Sequence, residues 1–125
     1  MNIKELIEEA KENRTVNDLM NMLEEYDIEF KNLEICNDAN VEIELTDFDG
    51  CSLLIHIWPT DEVIADEELL DEFFDECENE NWDYVDDNIA GMYLLAWKVD
   101  DIDNIICNYK DFGYTEEQAN ALSLR

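Results

Sequence analysis

What this chain lacks narrows its chemistry before anything in it is weighed. Basic residues are few, 7 Lys plus Arg against 35 Asp plus Glu in 125 residues, and none occurs between Lys31 and Lys98. A formal net charge of -28 has the wrong sign for direct binding to a phosphate backbone or an anionic lipid surface. Three glycines leave no room for a phosphate-cradling loop. The single histidine, His56, has no Gly-x-Ser-x-Gly elbow and no cysteine placed to form a nucleophilic pair. It lies between Ile55 and Ile57 and reads as a strand residue with a satisfied side chain. No apolar run approaches the roughly 20 residues of a membrane span, and Met1-Asn2-Ile3-Lys4-Glu5 lacks the architecture of a secretory signal, so a cytoplasmic location is expected. Cys36, Cys51, Cys77 and Cys107 form no C-x-x-C pair and read as small buried apolar residues, not as disulfide or zinc ligands.

What is there sits near the boundary between folded and disordered composition. Low mean hydropathy (-0.41) combined with high net charge is the signature of a disordered chain. Aromatics at 10%, a single proline and apolar residues at regular spacings point instead to one folded domain over residues 1–125. Ile and Asn are plentiful, as in AT-rich genomes, yet Lys is scarce. The scarcity therefore reads as a requirement of the surface; adaptation to high salt would not predict so much Ile and Asn. The composition is compatible with a monomer or a dimer.

The periodicities predict an α+β fold, an antiparallel sheet of about three to four strands flanked by short amphipathic helices. Asn2 with Glu5, and Thr15 with Asp18, mark two helix starts, followed by apolar stripes Ile3, Leu6, Ile7, Ala10 and Val16, Leu19, Met20, Leu23. Alternation then takes over, with Ile35 in a candidate first strand. Val41, Ile43 and Leu45 alternate with Glu42, Glu44 and Thr46, Asp49-Gly50 supplies a turn, and a central strand runs from Cys51 to Trp58. A helix is expected from about Asp66 to Glu78. The stretch 79–90 fits helix or strand, and Met92 to Val99 reads as a buried strand. Asp101 is expected to open a helix with Ile102, Ile105, Ile106 and Tyr109 inward, capped near Gly113, before a last helix begun by Thr115 and Gln118.

Catalysis and metal binding find little support in this pattern. With 35 acids, carboxylate pairs arise by chance and single out no reaction. Asp47-Phe48-Asp49-Gly50 resembles part of a calcium loop, but placing Gly50 sixth puts Leu45 first and His56 twelfth, both wrong as ligands. Asp100, Asp101 and Asp103 are better explained as acids in a first helical turn than as an ion site. No cofactor is expected, and the protein reads as a non-enzyme.

The remaining signal is the helix near 66–78. Leu69, Leu70, Phe73, Phe74 and Cys77 fall within one arc of about 140°, and Glu67, Glu68, Asp71, Glu72, Asp75, Glu76 and Glu78 fill the rest. Seven like-charged pairs three or four residues apart together cost roughly 1.5 to 3.5 kcal/mol, appreciable against a stability on the order of 5 to 15 kcal/mol. A merely solvated face would relieve this with Lys, and none is present. The rows Glu67, Asp71, Asp75 and Glu68, Glu72, Glu76 step about 6 Å along the axis, roughly every second phosphate of a DNA strand.

The opening Met1-Asn2-Ile3, Leu6-Ile7, Glu9, Lys11 and Thr15-Val16 resembles the start of a short Cas9-inhibiting anti-CRISPR protein. The order of initial helix, small antiparallel sheet and acidic helices is similar to the small acidic inhibitors, anti-restriction and anti-CRISPR, that phages and mobile elements direct against host defence nucleases. The second helix and everything after Met92 depart from that pattern. What the resemblance implies is a DNA mimic competing for a nuclease's basic DNA channel or its PAM-reading arginines. The expected partner is a basic nucleic-acid-binding protein, a CRISPR effector or restriction nuclease. The expected acidic face is Glu67, Glu68, Asp71, Glu72, Asp75, Glu76, Glu78, Asp83, Asp86, Asp87, Asp100, Asp101 and Asp103, with Trp82 and Tyr84 as anchors if exposed. The alternatives are an immunity protein or antitoxin blocking a basic nuclease toxin, an ion-binding protein or enzyme, and an acidic chaperone.

Overall fold

Residues 1–35, 40–98 and 101–107 are described by a computed structural model of the chain. Helices α1 (Ile3–Ala10) and α2 (Val16–Glu24) begin where their caps lie. Asn2 Oδ1 accepts from the Glu5 N–H at 2.9 Å and Thr15 Oγ1 from the Asp18 N–H at 3.1 Å. Strand β1 (Phe30–Ile35) leads to the hairpin of β2 (Val41–Phe48) and β3 (Cys51–Pro59). Asp49 and Gly50 turn this hairpin with φ of 50° and 72°, the left-handed pair that a two-residue turn matched to strand twist requires. Asp49 also accepts from the Ile3 N–H at 2.8 Å, tying α1 to the turn.

Three helices follow: α3 (Asp61–Ala65), α4 (Glu67–Glu78) and α5 (Trp82–Asp86). Thr60 caps α3, and Asp66 Oδ1 caps α4 by accepting from the Glu68 and Leu69 N–H groups at 3.0 and 3.3 Å. The stretch 79–90 is thus resolved as a short helix, after which β4 (Ile89–Lys98) starts three residues earlier than Met92. Strand β5 (Asp101–Cys107) completes an antiparallel sheet in the order β1-β2-β3-β4-β5. The α+β class and the antiparallel sheet match the expectation, and the sheet gains one strand because 101–107 is not a helix. The spacing of Ile102, Ile105 and Ile106 is helical, but isoleucine favours strands, and pairing with β4 decides the outcome. Asp100, the expected cap near Gly113 and the last helix from Thr115 lie outside the described residues.

Alternation sorts the strands into two faces. Val41, Ile43 and Leu45 of β2, Leu53, Ile55 and Ile57 of β3, and Met92, Leu94 and Ala96 of β4 share one core with the buried residues of all five helices. A register irregularity between Phe30 and Asn32 lets Phe30 and Leu33, three residues apart, both pack on that core. The other face carries Glu42, His56, Tyr93 and Leu95, also buried. Within the helical layer α5 touches both α2 and α4, and α3 abuts α4. No described helix is long and apolar enough to cross a membrane.

Candidate partner-binding surface

Helix α4 is held by its greasy side. Phe73 and Cys77 are buried, with Leu69, Leu70 and Phe74 packed partly against the core. Phe73 and Phe74 meet edge to face, their centroids 6.1 Å apart. Burial, aided by the charges of Glu76 and Glu78, pushes the Cys77 thiol up to about 12, so it is not a nucleophile at neutral pH.

The opposite side is carboxylate throughout. Glu67, Glu68, Asp71, Glu72, Asp75 and Glu78 are exposed, and Glu76 is half-buried. The field extends beyond the helix at both ends, through Asp61, Glu62 and Asp66 before it and Glu80, Asp83 and Asp87 after it, all exposed. Residues 61–87 contain 14 acids and no Lys or Arg. Of the basic side chains described in the structure, Lys4 and Lys11 stand at α1 and Lys31 on β1, whereas Arg14 lines a pocket together with Asp86. Lys11 pairs with Glu8 at 3.1 Å and Lys31 with Glu44 at 3.3 Å. Glu44 points to the sheet face away from the helices, so Lys31 is drawn from α4. Among the described residues no ion pair neutralises α4, and no basic residue stands in its last turn, where the helix dipole would favour one.

The other expected site residues divide. Asp86 is half-buried, and both its oxygens are turned inward to α2. Oδ1 accepts from the Val16 N–H at 2.6 Å and Oδ2 from the Asn17 N–H at 3.0 Å. Burial raises its pKa, and the two N–H groups offset this only in part. Asp86 is therefore a structural cap and not part of the outward face. Trp82 is 7% exposed and belongs to the core, tilted against Phe30 with centroids 6.4 Å apart. Tyr84 is half-buried; burial, the charge of Glu72 and a hydrogen bond donated to that carboxylate raise its pKa. Neither is the exposed anchor foreseen. Asp101 and Asp103 fall on β5, away from any helical turn.

His56 departs from its expected satisfied state. It is fully buried on the second face of the sheet, opposite Glu42 on one side and Tyr93 on the other. Its ring lies 4.0 Å from that of Trp58, and among the described residues neither ring nitrogen has a hydrogen-bond partner. Burial holds its pKa down to about 4, so the ring is neutral at physiological pH. Among the described residues no group of three or more His, Cys, Asp or Glu side chains converges as a metal site. The chain matches no family model, no curated protein and no solved structure.

Proposed function

We propose that this protein is a stoichiometric, non-catalytic inhibitor that mimics DNA and occupies the DNA site of a basic nucleic-acid-processing protein in the cytoplasm, a CRISPR effector or restriction nuclease. The observation that carries the reading is the outward side of α4, six exposed carboxylates and the half-buried Glu76 over 12 residues with no basic relief. A helix of that length extends about 18 Å and so spans about five phosphates of one DNA strand. Glu67, Glu68, Asp71, Glu72, Asp75 and Glu78, continued by Asp83 and Asp87, would pair with Arg and Lys side chains that otherwise hold phosphates. Repulsion left unrelieved in the free protein is relieved on binding a basic surface. A potential of one sign steers a basic partner toward it, giving rapid association that weakens with salt.

The test is affinity capture from a host lysate with the wild-type protein and with the Asp71→Lys, Glu72→Lys, Asp75→Lys variant, followed by identification of the retained protein and its DNA binding. The reading expects a nuclease or nuclease complex held by wild type, released by the variant, and unable to bind DNA while held. Retained DNA binding with lost cleavage would mark active-site blockade of the immunity-protein kind instead.

A further inference from the structure

We draw no further inference here: the strongest candidate, the buried row of Glu42, His56 and Tyr93 across the sheet face turned away from the helices, carries nothing because no described element shows what covers that face.

Discussion

Two polar side chains, one half-buried and one fully buried, show how far single residues here are from neutral bystanders. Asp86 reaches from α5 to cap α2, 70 positions earlier in the chain, yet its burial raises its pKa. Removing both oxygens with Asp86→Ala should cost about 1 to 2 kcal/mol, the value of a helix cap, in urea unfolding. Asp86→Asn keeps one acceptor and discards the buried charge, so it should stay within about 1 kcal/mol of wild type. His56 works with the opposite sign. Its folded pKa, about 4, lies below the ordinary 6.5, so between those values the unfolded chain binds a proton that the folded chain refuses. That contribution is fully present above pH 6.5 and is lost as the pH falls toward 4, about 3 kcal/mol in all. Glu42 and Tyr93 face His56 from the adjacent strands, and both are present in wild type and His56→Leu alike. The variant should therefore gain about 3 kcal/mol on wild type between pH 7 and pH 4 by chemical denaturation. Parallel pH curves would contradict a neutral buried imidazole.

At the scale of elements, α4 carries the strongest expectation. Charge reversal by Asp71→Lys, Glu72→Lys and Asp75→Lys makes five of the seven like-charged pairs attractive, while 71/75 and 72/75 stay repulsive as Lys–Lys pairs. It should raise stability by about 1 to 3 kcal/mol, seen as a higher melting temperature, while abolishing partner capture. A stabilised variant that still captures its partner would separate the helix from the interface. This element was also the most legible from sequence, because cap, apolar arc and acidic arc are all local: the expected span from Asp66 begins at the observed cap and ends at Glu78. The caps Asn2 and Thr15 and the Asp49-Gly50 turn were readable for the same reason. What was not readable depends on distant partners. The strand state of 101–107 is decided by pairing with β4, the inward turn of Asp86 by α2, and the burial of Trp82 by packing against Phe30 and the core. The lack of a partner for His56 is likewise a property of the assembled sheet, invisible to alternation alone.

For the whole molecule, the charge of -28 is a standing repulsion in the folded state. Raising sodium chloride from about 20 mM to about 200 mM shortens the screening length from roughly 20 Å to roughly 7 Å. The melting temperature of the isolated protein should rise across that range. A melting temperature unmoved by salt would mean that the repulsion is already neutralised within the fold. Arg14 lines a pocket beside the inward-turned Asp86, and the outward carboxylates from Asp61 to Asp83 form a field of one sign. That continuity is what a nucleic-acid site would meet. Its most direct test is a titration of duplex DNA into the purified complex with the captured partner, following release of this protein. Mutual exclusion, with release rising in step with DNA binding, is the predicted result. A stable ternary complex in which the partner holds DNA and this protein together would contradict the account.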